Sequence, residues 1–143
     1  MSSNSLYTVI SGSYRKYLSE MYFLKKQLES LGVVVLSPVG TSAVNPEEEF
    51  IFLDSDPITD RRMLQDSIFA KIRTSSFLVL ANFEGYIGNA ALLEVGYALS
   101  LGLQILTVEE VLDPNIGVYT RLLCDVFKNF KSLNHKEKLR CHI

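Results

Sequence analysis

The stretch LYTVISGSYRKYLSEMYFLKKQLESLGVVVL, residues 6–36, decides the fold. LYTVI (6–10) is a short run rich in β-formers, and SGS follows it at once. In the next segment apolar residues recur at Tyr17, Met21, Leu24, Leu28 and Leu31, spaced four, three, four and three. That spacing paints one face of an amphipathic helix, and Gly32 is a natural stop. VVVL (33–36) is an uninterrupted apolar run of strand length, the kind buried on both faces of a parallel sheet. Strand, helix and strand in about thirty residues make a βαβ unit.

The pattern continues outward. SPVGTSAVNPEEE (37–49) has the composition of a loop, and FIFLD (50–54) reads as a short strand or part of a lid. Helical spacing returns at Leu64, Ile68, Phe69 and Ile72, and SFLVLANF (76–83) is the next strand. A helix then runs to about Leu101 with Gly102 as its stop, and LQILTV (103–108) is a further strand. VYTRLLCDVFKNF (118–130) reads as a last helix, apolar at Val118, Leu122, Leu123, Val126, Phe127 and Phe130. Strands alternating with helices predict one α/β domain over residues 1–143, a sandwich around a mainly parallel sheet of about five strands. The polar tail, 131–143, is expected to be poorly ordered.

Composition narrows the function. The chain has 143 residues, nearly half of them apolar, enough for a full core without staples. A formal charge of -2 argues against a nucleic-acid binder with a basic stripe and against a polybasic membrane-surface protein. No apolar run reaches spanning length and the N-terminus lacks the charge pattern of a leader, so a cytoplasmic protein is expected. Cys124 and Cys141 are expected to be free thiols, and their spacing from His135 and His142 implies no metal.

Ligands of open α/β sheets bind outside the carboxyl ends of the strands. Those ends are here 11–15, 37–56, 82–89 and 107–113. In the first, Ser11, Gly12, Ser13, Tyr14 and Arg15 form a strand-to-helix turn whose outward N–H groups and guanidinium suit an anion. The plainer reading is an ordinary turn with a serine cap. In the third, Asn82, Tyr86, Gly88 and Asn89 join strand to helix, and Tyr86 can stack on a flat base. Glu94 then stands in an apolar helix, where Leu92, Val95, Gly96 and Leu99 are expected to pack on the sheet with Glu94 at the edge of that side. A partly exposed helix glutamate is the plainer reading, but a lone carboxylate in apolar surroundings is also a candidate nucleophile or base.

ISGSYR, the IRTSSFLVLAN step and GYIGNAALLEVGYALSLGLQI resemble, in matching order over roughly residues 7–108, the nucleoside 2-deoxyribosyltransferases and the 2′-deoxynucleoside 5′-monophosphate N-glycosidases. The resemblance implies a Rossmann-like, flavodoxin-like sandwich with helices on both faces. It also implies cleavage or transfer of an N-glycosidic bond through a covalent glycosyl-glutamate, with Glu94 as nucleophile, no cofactor, and a homodimer or larger homo-oligomer. The substrate implied is a small nucleoside or deoxynucleotide, held at the Ser11–Arg15 turn. The family commonly carries a tyrosine where Val9 stands, an aspartate where Ile68 stands and an Asp or Ser where Gly88 stands. Asp66 is the nearest acid to the second of these and is the candidate helper, with Asp54 and Asp56 behind it. Two rival readings are a catalytically impaired nucleotide or nucleotide-sugar sensor on the same fold and an NAD glycohydrolase. The apolar face of the 118–130 helix is expected either to form the subunit contact or to pack on its own sheet.

Overall fold

A computed structural model describes residues 5–39 and 60–128. Five parallel strands form one sheet in the order β2-β1-β3-β4-β5. They are β1 (Leu6–Gly12), β2 (Val33–Ser37), β3 (Phe77–Ala81), β4 (Gln104–Thr107) and β5 (Thr120–Leu122). The helices are α1 (Tyr14–Ser30), α2 (Arg61–Arg73), α3 (Asn89–Ser100), α4 (Pro114–Gly117) and α5 (Leu123–Val126). The strand order reverses direction between β1 and β3, so the crevice where ligands bind in doubly wound sheets lies there.

Alternate residues of each central strand feed two separate cores, as a period of two requires. Ile10, Val79 and Leu106 face α1, whose Met21, Leu24 and Leu28 are fully buried. Val9, Leu78, Leu80 and Ile105 face the other side, where Ile72 of α2 and Ala91, Val95 and Ala98 of α3 cover them. Helices therefore lie on both faces of the sheet. Ser13 caps α1 by accepting from the Lys16 N–H, Asp60 caps α2 in the same way from Met63, and Gly32 leaves α1 at φ 87°.

Three expectations are corrected. The segment expected as a 118–130 helix is not one helix over its described residues, 118–128. Thr120–Leu122 pair with Ile105–Thr107 as the edge strand β5, and a short α5 follows. The free edge of β4 needs backbone partners, and three residues of extended chain supply them. Leu122 and Leu123 are buried, while Val118 and Tyr119 are 76% and 58% exposed, a split that no single helix face would give. Val126 and Phe127 pack on the chain's own core, with the Phe127 ring 5.7 Å from that of Phe77.

The second correction concerns α3. Its buried stripe is Ala91, Glu94, Val95 and Ala98, whereas Leu92, Leu93 and Gly96 face outward. Small side chains let this helix lie close to the sheet, and the larger leucines are turned away. Third, Cys124 is disulfide-bonded and not a free thiol. Spacing could not reveal this, because pairing depends on how close the fold brings two Cα atoms. The 50–54 strand, Asp54, Asp56, Cys141, both histidines and the 131–143 tail lie outside the described residues. Among the described residues no helix is long and apolar enough to cross a membrane.

Candidate active site

Two turns meet at the switch point. After β1 the chain passes through Ser13 into α1; after β3 it passes through a 3-10 turn (Phe83–Gly85) and enters α3 at Asn89. A cavity of about 390 Å³ opens between them and the start of α2. This is the size of a small-molecule site. Of the residues expected at a site, Gly12, Ser13, Tyr14 and Arg15 line one wall, Tyr86, Gly88 and Asn89 another, and Glu94 the floor.

Glu94 occupies the inward stripe of α3 and is 9% exposed. The stripe at i, i+3, i+4 and i+7 is reserved for apolar residues in an ordinary surface helix. Its carboxylate is satisfied on both oxygens. Ser11, buried at the end of β1, donates to Oε1, and the Gln65 side-chain amide of α2 donates to Oε2 at 2.9 Å. Burial pushes the carboxyl above its ordinary range, and the Ser11 and Gln65 hydrogen bonds pull it part of the way back. Ser11 is thus placed behind Glu94 and does not line the cavity.

Two further expected residues are not brought to the cavity. Asp66 sits on the outer side of α2, its side chain 65% exposed and 4.0 Å from Arg62. It lies about 200° around the helix from the buried Leu64 and so points away from the sheet. Asn82 is 1% exposed and does structural work. Its Oδ1 accepts from the N–H groups of Val108 and Glu109, and its Nδ2 donates to the Glu109 carbonyl at 2.8 Å. These bonds tie the end of β3 to the end of β4.

The cavity also holds residues that the sequence reading did not name as ligands. Arg61 stands at the start of α2, so two arginines, Arg15 and Arg61, line one space. Ser37 lies within 3.3 Å of the Tyr14 hydroxyl. Gln65 is the functional residue most clearly missed. A polar residue on the Leu64 and Ile68 side of α2, one turn before Ile68, was the available signal.

Tyr86 is held in the wall from outside. The Lys16 ammonium sits 4.1 Å from its ring centroid, and the Tyr17 ring lies 6.4 Å away. Tyr17 donates to the Glu84 carboxylate at 2.8 Å. That hydrogen bond, with burial and the negative charges of Glu84, Glu20 and Glu109, pushes the Tyr17 hydroxyl up to about 12, so it remains a donor. Glu84 takes φ 57°, and its N–H donates to the Glu109 carboxylate at 2.5 Å. Gly85, at φ 78°, needs the left-handed region, whereas Gly88 does not.

A scan against protein-family models gives no match to this chain, and a comparison with curated proteins gives none. The site's own chemistry therefore carries the functional argument. It consists of a buried, doubly hydrogen-bonded carboxylate open to a pocket, with cationic and aromatic groups opposite.

Proposed function

We propose that the chain cleaves or transfers the N-glycosidic bond of nucleosides, deoxynucleosides or their 5′-monophosphates. The observation that carries this is Glu94, a carboxylate on the buried stripe of α3 that still lines the switch-point cavity. A desolvated carboxylate held on both sides is a competent nucleophile toward an anomeric carbon. One Glu94 oxygen bonds to C1′ while the C1′–N bond breaks, and the base departs with the electron pair and takes a proton from solvent. Water then attacks C1′ and releases the free sugar, or a second base attacks and leaves as the new nucleoside; either gives a proton back to solvent and restores the carboxylate. Arg15 and Arg61 suit a 5′-phosphate, and Tyr14 and Tyr86 suit the faces of a sugar or base.

A second reading has its own observation. Among the described residues lining the cavity, Glu94 is the sole carboxylate, and Asp66 faces solvent. A site whose described lining offers no second acid for the leaving base fits a nucleotide-binding module with impaired turnover. One panel separates the two. The purified protein is incubated with deoxynucleosides, their 5′-monophosphates, ribonucleotides and NAD, and free base or nicotinamide is measured. Base release that is lost in Glu94→Ala supports the enzyme. A ligand that raises Tm with no release supports the binding module. Nicotinamide release from NAD alone would redirect the assignment to an NAD glycohydrolase.

We carry a homo-oligomer with this proposal. Leu92 and Leu93, 41% and 56% exposed, lie on the same helix as Glu94 and offer an apolar face to a second copy. Light scattering of Leu93→Glu against the native chain tests it, a monomer being the expected outcome for the variant.

A further inference from the structure

Gln65 is the one polar side chain of α2 that both lines the cavity and bonds Glu94. Asp66, its neighbour, is turned to solvent. The two donors on Glu94 come from different elements and grip different oxygens. Ser11 is 1% exposed on β1 and holds Oε1 from behind, whereas Gln65 reaches Oε2 from the cavity side. An amide facing a carboxylate must present its N–H₂ group, so its orientation is fixed by the partner. We propose that Gln65 is a positioning residue, whose amide N–H fixes Oε2 of Glu94 and aims the carboxyl group into the cavity. The proposal rests on Glu94 being the nucleophile only for its catalytic consequence; the placement of the carboxyl group stands without it.

Among the described residues the competing groups are few. β1 presents Ser11 to Glu94, while β3 and β4 present apolar Leu78, Leu80 and Ile105 to α3. Across the cavity stand Arg15, Arg61, Tyr14 and Tyr86. On α3 itself Tyr97 accepts from Arg73 at 2.7 Å. Burial favours the neutral acid, and the two donors oppose it, so changing the Gln65 donor moves the balance in a direction set by the charge of its replacement.

The test is the titration of the Glu94 carboxyl carbon by NMR in protein labelled at glutamate Cδ, the signal assigned by its loss in Glu94→Gln. Gln65→Lys should titrate at lower pH than the native chain. Gln65→Leu should titrate at higher pH, and Gln65→Glu higher still, because a second carboxyl cannot ionise easily beside the first. A residue that merely fills space would leave Gln65→Leu titrating with the native chain. Where base is released, the acid limb of kcat/KM should follow the same order, with Gln65→Leu about tenfold slower on the acid side. A Gln65→Leu midpoint equal to the native one overturns the assignment, whatever the activity. The expected order in a protein that releases no base upholds Gln65 and defeats the glycosidase reading.

Discussion

Gly12→Ala tests how tightly the site is built into the core. A Cβ at Gly12 would lie 3.1 Å from Ala81 Cβ, 3.2 Å from the Ala81 carbonyl oxygen and 3.2 Å from Met21 Sδ. The first two belong to β3, in register with Gly12, and cannot yield without shifting the strand pair. The thioether can move, but Met21 is fully buried and has little room. Overpacking of this kind costs about 1–3 kcal/mol, and the lost flexibility of the unfolded chain returns about 0.4–1 kcal/mol. The net cost is about 1–2 kcal/mol, a fall in Tm of roughly 3–10 °C at this chain length. Gly96→Ala is the matched control. Nothing lies within 4 Å of its Cβ, and it sits inside a helix, so the same substitution should raise Tm slightly. Differential scanning calorimetry of the pair checks both. Gly12→Ala melting at or above the native chain would refute the packing argument.

Glu94→Gln should stabilise the fold. The buried carboxyl is raised above its ordinary value, so the stability it contributes is present below the unfolded-state value and is lost as pH rises through the folded one. The variant should therefore melt about 3 °C above the native chain at neutral and alkaline pH, with the gap closing in acid; a constant gap would contradict the desolvation argument. Asn82→Ala strands two N–H groups and a carbonyl between β3 and β4, and should cost about 2–4 kcal/mol in urea unfolding. A loss below about 0.5 kcal/mol would show that water replaces the side chain.

The βαβ reading of 6–36 needed only local information. A four-three apolar spacing and an unbroken VVVL run have few other stable solutions, and the strand ends then place the cavity. The two turns were legible for the same reason. What failed depended on contacts distant in sequence. Residues 118–130 carry a pattern that serves a helix or a strand followed by a short helix, and the unpaired edge of β4 selects the latter. Asn82 reads as a ligand because it is polar at a strand end, yet the N–H groups of Val108 and Glu109 claim it. Glu94 was expected at the edge of the packed face, but the stripe of Ala91, Val95 and Ala98 turns it fully inward. Gln65 and Glu94 meet only because α2 and α3 pack side by side, 29 residues apart in sequence.

The central claim is that Glu94 bonds to the sugar. The direct measurement is mass spectrometry of the protein quenched during turnover of a deoxynucleoside or its 5′-monophosphate, followed by peptide mapping. The account expects the mass of the deoxyribosyl group, with its phosphate if present, on the peptide containing Glu94, and no adduct in Glu94→Gln. Free base released by Glu94→Ala at the native rate, with no adduct on the native chain, would contradict it.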